Sequence, residues 1–179
     1  MSDPTPVDPP APVAMPAVAP AAPPPVEPSD LQLIRFFAVS AAARTAASSL
    51  GKAAEVGVRF TDLPGDYRFA VEGGKPRLAK GKAKEPDFDL ELAPGAVKAI
   101  CARPDDDVGE LGIVFFQQMI AKEPGNKVRV KLHSGLLRLT MRGWLGVLAH
   151  GGSKVVGWLA QKGLKGPGAV ASAISRLRK

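Results

Sequence analysis

The chain has 179 residues, of which 45% are hydrophobic and 23% charged, and its formal net charge is +7. This composition excludes collagen and long fibrous proteins, and a single cysteine excludes a scaffold held together by internal disulfides. The positive charge leaves open an anionic partner, which could be a lipid headgroup, a nucleic acid or an acidic protein. The length accommodates one domain with a tail.

Residues 1–29 differ in composition from the rest of the chain. They hold eleven of the 18 prolines and contain neither an aromatic nor a basic residue. Because such a segment buries too little apolar surface to offset its ordering entropy, we expect a disordered Pro/Ala-rich tail. The tail serves either as a spacer or as a docking motif for a protein partner.

The rest of the chain divides into a folded domain over residues 30–163 and a basic C-terminal extension over residues 164–179. The end of the extension either frays or contacts a membrane or partner as a short amphipathic helix. No stretch reaches the roughly 18 apolar residues of a membrane span, and the N-terminal segment lacks the pattern of a signal peptide. We therefore expect a cytoplasmic location.

Within the domain, the spacing of apolar residues predicts one helix over 30–55 and then strands over 56–60 and 67–72. A basic segment, 75–84, leads to a strand over 87–92 in which acidic and apolar residues alternate. Further helices are predicted over 95–102, from the acidic run 105–107 to about 123, over 144–149 and over 153–162.

The segment 127–142 predicts a β-hairpin that turns at Ser134-Gly135 and places apolar residues on one face and basic residues on the other. Like charges opposed across a ladder cost roughly 0.2–1 kcal/mol per pair, so acidic groups should lie nearby. Either the outward-facing Asp87, Asp89 and Glu91 supply them, or an anionic ligand or surface does. The basic residues of this predicted anion-binding face are Arg129, Lys131, Arg138 and Arg142.

The sequence shows no motif typical of catalysis or metal binding. His133 and His150 lie on different elements, and Cys101 lies in an apolar helix, which is typical of a small core residue. No nucleophile elbow or phosphate loop occurs, and the Gly-x-x-Gly sequences lack exposed aromatic residues for base stacking. We therefore expect no catalytic residue, no metal, no cofactor and no nucleic-acid partner.

Together these elements predict one α+β domain, with a roughly five-stranded, mostly antiparallel sheet and helices packed on one face. Apolar residues are in excess around this small sheet, and they either form an ordinary core or surround a hydrophobic cavity. The side chains that would line such a cavity are Phe115, Phe116, Met119, Ile120, Leu139, Met141, Trp144, Leu148 and Trp158.

The order of elements resembles the sterol carrier protein type 2 family over about residues 30–162. The resemblance lies in "EPDFDLELAPGAVKAI", residues 85–100, and in "SGLLRLTMRGW", residues 134–144. Two departures are the inserted residues 127–133, which would complete the hairpin, and an unusually apolar preceding helix.

The resemblance implies a sterol-carrier-like fold and non-enzymatic binding or transfer of a hydrophobic lipid, sterol-like or acyl. In that case the basic face would contact anionic membranes peripherally. The alternative is a protein-interaction or scaffold module with a closed core, in which the Pro-rich tail docks a partner.

Overall fold

The computed structural model describes residues 27–163. The predicted extension over residues 164–179, and the predicted tail up to residue 26, lie outside the described residues. In chain order the helices and strands are α1 (Ser29–Val39), α2 (Ala41–Ser48), β1 (Glu55–Phe60), β2 (Tyr67–Glu72), β3 (Lys75–Lys80), β4 (Phe88–Leu92), α3 (Pro94–Cys101), α4 (Val108–Met119), β5 (Val128–Leu132), α5 (Leu136–Met141) and α6 (Trp144–Gln161).

The five strands form one sheet in the order β3-β2-β1-β4-β5. The central strands β1 and β4 run parallel, and the other three neighbouring pairs are antiparallel. In β1, Val56, Val58 and Phe60 are buried, whereas Arg59 between them is exposed. This alternation gives the sheet one apolar face, which the helices cover, so the predicted α+β class is confirmed.

The predicted single helix over 30–55 is wrong, because the chain forms two helices that separate at Ser40. Ser40 has an extended backbone, and its Oγ accepts a hydrogen bond of 3.2 Å from the Ala43 N–H. A serine in this position satisfies a free amide at the start of the second helix and so favours a new N-terminus over continuation. The break turns the alanine-rich α2 back over the sheet, where it contacts β3 and α4.

The predicted hairpin over 127–142 is also wrong. β5 pairs with β4, and the chain then forms α5 where the returning strand was expected. Leu137, Leu139 and Met141 have the spacing that suggested a strand, but Leu136 and Leu139, and likewise Arg138 and Arg142, have helical spacing. Arg138 binds Glu85 and Arg142 binds Asp87, both of which precede β4, and these ion pairs stabilise the helical conformation.

The fifth strand is instead β3, which lies in the basic segment 75–84, where no strand was predicted. Gly73 and Gly74 both have positive φ values, 58° and 75°, and form a two-residue turn that pairs β3 with β2. β3 is an edge strand, which explains its exposed lysines and its tolerance of Pro76.

Helices α4 and α6 cross closely because glycines lie at their contact. A Cβ atom on Gly109 would lie 2.8 Å from the carbonyl oxygen of Gly151, so a larger residue would push the helices apart.

α6 is interrupted at Gly152, whose φ of 55° and ψ of −150° are not helical. The predicted break between the two closing helical pieces is therefore confirmed. Within residues 27–163, none of the helices combines the length and apolar character needed to cross a membrane.

Replacing Gly143 with alanine should destabilise the fold. Gly143 has a φ of +89°, and an added Cβ would lie 1.9 Å from the carbonyl oxygen of Ser49. The strained backbone and the clash should lower the free energy of unfolding by roughly 2 kcal/mol or more. Gly135→Ala is the control, since Gly135 has an ordinary φ and open space around it. Equal urea-denaturation midpoints for the two variants would contradict this account of the α5–α6 turn.

Candidate ligand cavity and the buried carboxylate beside it

A cavity of about 440 Å³ lies between the apolar face of the sheet and the helices. Each helix and each strand named above contributes at least one residue to its wall. The wall carries no charged side chain, and the rings and aliphatic chains of Phe36, Phe69, Leu90, Leu111 and Val130 are typical of it. Small-molecule sites usually measure roughly 300–1,000 Å³, so the cavity is large enough for one ligand.

The cavity offers water few partners. An ordered water molecule needs two to four polar groups, and apolar cavities even of roughly 150 Å³ stay dry. Among the described residues, every buried side-chain nitrogen or oxygen already has a hydrogen-bond partner. Within that same region, no group of three or more His, Cys, Asp or Glu side chains is placed to hold a metal ion. The wall is therefore suited to an apolar ligand.

The structure brings most of the predicted cavity residues together. Ile120 and Met141 do not line the cavity and are 61% and 79% exposed, because one follows the end of α4 and the other lies on α5 instead of a strand. Trp158 lies outside the wall and stacks on Phe116, with 6.4 Å between ring centroids. The predicted residues that do line the cavity are Phe115, Phe116, Met119, Leu139, Trp144 and Leu148.

Sequence reasoning missed the contribution of α2. Four alanines of this helix, Ala42, Ala43, Ala46 and Ala47, line the cavity. Their spacing places them on one face of a helix, and their small side chains leave space above the sheet. An alanine stripe facing large apolar residues was the signal that could have revealed the cavity.

Asp87, one residue before β4, carries a fully buried carboxylate beside the cavity. It accepts hydrogen bonds from Trp144 Nε1 at 2.8 Å, Ser134 Oγ at 2.9 Å and Arg142 Nη1 at 3.0 Å. Its main-chain carbonyl also accepts bonds from the N–H groups of His133 and Ser134. The prediction that Asp87 faces outward is wrong, because α5 and α6 cover it.

The Asp87 contacts orient one wall of the cavity. Trp144 donates its only polar hydrogen to Asp87, so its ring faces the cavity without an unsatisfied N–H. The ring also packs edge-on against Phe88, with 4.7 Å between centroids. The carboxylate thus fixes an aromatic side chain of the wall while its own charge is satisfied outside the cavity.

Acidic residues of the same domain pair with most of the predicted anion-binding face. Arg129 binds Glu91 at 2.7 Å, and Arg138 binds Glu85 at 2.9 Å. Lys131 lies opposite Asp89 in the β4–β5 register. The interpretation that the acidic strand balances this charge is confirmed for Arg129, which binds Glu91, and for Arg142, which binds Asp87. The contact of this face with an anionic surface stays a prediction.

The thiol of Cys101 is poorly suited to nucleophilic chemistry. Burial, together with a smaller effect of the nearby Glu27 carboxylate, raises its pKa to about 12. The thiolate is the reactive form, so the group is almost entirely protonated at neutral pH. This agrees with the prediction of a core cysteine.

Comparisons with known proteins add one similarity. No protein-family model and no curated protein matches the sequence. Among solved structures, a protein described as "UbiJ-SCP2 Ubiquinone synthesis protein" is 10% identical, with a TM-score of 0.39, over 66% of this chain and 84% of that chain. Membership of the sterol carrier protein type 2 family stays a prediction.

Asp87→Ala should destabilise the domain strongly. The substitution leaves the guanidinium of Arg142, only 13% exposed, without its buried partner and also frees Trp144 Nε1. Breaking a buried ion pair from one side typically costs about 3–5 kcal/mol of unfolding free energy. Asp89→Ala removes a carboxylate two residues away that is 38% exposed and pairs with His133. Its cost should stay below about 1 kcal/mol, and equal losses in urea denaturation would contradict the role of Asp87.

Cys101 should react slowly with iodoacetamide in the folded protein. Because its pKa is raised to about 12, the alkylation rate should keep rising with pH well above the ordinary thiol range near 8.5. The measurement is the alkylation rate by mass spectrometry between pH 7 and pH 10, with the urea-unfolded chain as control. A native rate that levels off near pH 8.5 would show that the thiol is not perturbed.

Proposed function

We propose that this protein binds a hydrophobic small molecule, a lipid with an acyl or sterol-like body, without transforming it chemically. The observation that carries the proposal is the apolar cavity of about 440 Å³. Its wall supplies no acid, base or nucleophile for a reaction, which supports binding over catalysis. The predicted cytoplasmic location and any transfer between membranes belong to the same proposal.

Burial of apolar surface supplies the driving force. Each methylene group removed from water contributes about 0.8 kcal/mol, so roughly ten buried methylenes contribute about 8 kcal/mol before the costs of binding. Such a chain would leave no polar side chain of the wall unpaired, because Trp144 Nε1 already donates to Asp87. Affinity should therefore depend on the length of the apolar part of the ligand.

A protein-interaction module is the second candidate, and one observation favours it. α5 and α6 expose an apolar row in which Leu137 and Met141 are 75% and 79% exposed, and Leu145 and Leu148 are 42% and 47% exposed. Exposed apolar patches commonly mark interaction sites. The closed core that was predicted for such a module is not part of this candidate, because the core surrounds a cavity. The predicted docking tail lies largely outside the described residues.

Ala46→Phe should weaken lipid binding by filling the cavity. Ala46 lies in the wall on α2, and an added phenyl ring would occupy space that the ligand needs. We expect at least about a tenfold loss of affinity, equivalent to about 1.4 kcal/mol, in a titration of the full chain with a fluorescent fatty acid.

Ala41→Phe is the matched control for this experiment. It adds the same ring to the same helix at an exposed position outside the cavity wall. Its affinity should equal that of the unmodified protein, and its circular dichroism should match that of Ala46→Phe. Unchanged binding by folded Ala46→Phe would place the ligand elsewhere and contradict the proposal.

A further inference from the structure

Helix α5 carries apolar side chains on its outer side as well as on its inner side. Leu139 is buried and lines the cavity. Leu137 and Met141 each lie two residues from Leu139, which places them on the opposite side of the helix and one turn apart from each other. Both side chains are more than three-quarters or about three-quarters exposed, at 79% for Met141 and 75% for Leu137. They therefore project from α5 into solvent.

The start of α6 continues this apolar surface. The two helices are joined by a short turn in which the Gly143 N–H donates to the carbonyl oxygen of Thr140. The carbonyl oxygen of Gly143 in turn accepts from the N–H of Gly146. Leu145, which is exposed, thus follows Met141 after one tight turn, and Leu148 follows Leu145 after one helical turn.

Leu148 joins the apolar row to the cavity. It belongs to the cavity wall and is also exposed. Among the described residues that line the cavity, Leu148 alone is exposed, and the others are buried or half-buried. The apolar interior of the domain therefore reaches the surface at the row, in the helix that also carries Trp144 of the wall.

The chemistry of the row fits a lipid surface better than a protein partner. Its four members are leucines and a methionine, whereas the residues that dominate the energetics of protein interfaces are Trp, Tyr and Arg. Because no member is charged, burial of the row in hydrocarbon desolvates no charge. The ligand of the adjacent cavity would itself be drawn from such a surface.

The charge of the chain is complementary to an anionic membrane. The formal net charge is +7, and residues 164–179, which follow α6, contain four cationic residues and no acidic one. Peripheral membrane proteins combine such basic segments with apolar side chains that enter the boundary between headgroups and acyl chains. A second copy of this chain would instead bring like charge to the row, so the charge favours an anionic lipid surface as its partner.

We propose that the apolar row docks on the surface of an anionic lipid membrane and that the lipid ligand passes between membrane and cavity at Leu148. This inference rests on the proposed function, to which it adds the membrane-binding surface and the point of entry. Leu137 and Met141 enter the membrane boundary, and the row leads from there to the cavity wall.

The test uses the full chain and vesicles made of equal parts of phosphatidylcholine and phosphatidylglycerol. Co-sedimentation measures binding to the vesicles, and stopped-flow fluorescence measures transfer of a fluorescent fatty acid from the vesicles to the protein. Titration with the same fatty acid without vesicles measures the cavity by itself. The variant is Leu137→Glu/Met141→Glu, which changes two highly exposed side chains outside the cavity wall.

The matched control is Leu31→Glu/Val39→Glu. It adds the same two charges at exposed apolar positions of α1, which lie outside the row and outside the cavity wall. Because the change in net charge is equal, any difference between the two variants reports the loss of apolar side chains from the row. Circular dichroism of both variants should match that of the unmodified protein.

We expect Leu137→Glu/Met141→Glu to bind vesicles at least about tenfold more weakly, because two apolar side chains no longer enter the membrane. Its transfer rate should fall in proportion. The control variant should lose less than about threefold in both measurements, through its charge alone. Both variants should bind the fatty acid without vesicles as the unmodified protein does.

Equal vesicle binding by the two variants, or none by the unmodified protein, would overturn the membrane surface while leaving the cavity function standing. An unchanged transfer rate despite lost vesicle binding would overturn entry at Leu148. A dimer in analytical ultracentrifugation that Leu137→Glu/Met141→Glu dissociates, without vesicle binding, would assign the row to a second copy and overturn the membrane. Failure of the unmodified protein to bind the fatty acid without vesicles would contradict the proposed function, whereas row-dependent vesicle binding would still support the membrane surface.

Discussion

The burial of the Asp87 carboxylate is the constraint on which the arrangement around the cavity depends. A charge without solvent is tolerated only with several donors, and Asp87 obtains them from Ser134, Arg142 and Trp144. Ser134 precedes α5, Arg142 follows it, and Trp144 begins α6. Hydrogen bonding of one carboxylate to all three therefore fixes the path of the chain from β5 into α6. The same contacts hold Trp144 against the cavity.

The cavity exists because small residues control how closely the helices approach. Glycines at the contact of α4 with α6 bring these two helices together, and Gly143 lets the start of α6 lie against the end of α2. The alanine face of α2 then leaves space above the large residues of the sheet. Close packing at the edges and small side chains in the middle keep an open volume in an otherwise ordinary α+β core.

The two faces of the sheet differ in chemistry. On the outer face of the sheet, basic residues form ion pairs with acidic residues of the same domain, as Arg129 does with Glu91. On the opposite face, the cavity wall carries no charged side chain. Charged and apolar residues of the sheet thus lie on opposite faces, as the alternation of side chains along a strand requires.

The sequence by itself determined the elements whose patterns are local. Local sequence patterns identified the strands β1, β2 and β4. Asp107 marked the start of α4, and the glycines around 152 marked the break in α6. Apolar composition indicated six of the residues that line the cavity. These features follow from burial of one face and from caps and turns that neighbouring residues supply. They needed no knowledge of distant contacts.

Only the tertiary structure decided the path between 127 and 142 and the environment of Asp87. The residues Leu136–Met141 fit both a strand and a helix, and the choice came from arginines reaching acidic groups some fifty residues earlier in the chain. The volume of the cavity likewise depends on how far α2 and the sheet are held apart. Such long-range contacts combine side chains that no local pattern relates, because each gains its partner only when the whole domain is assembled.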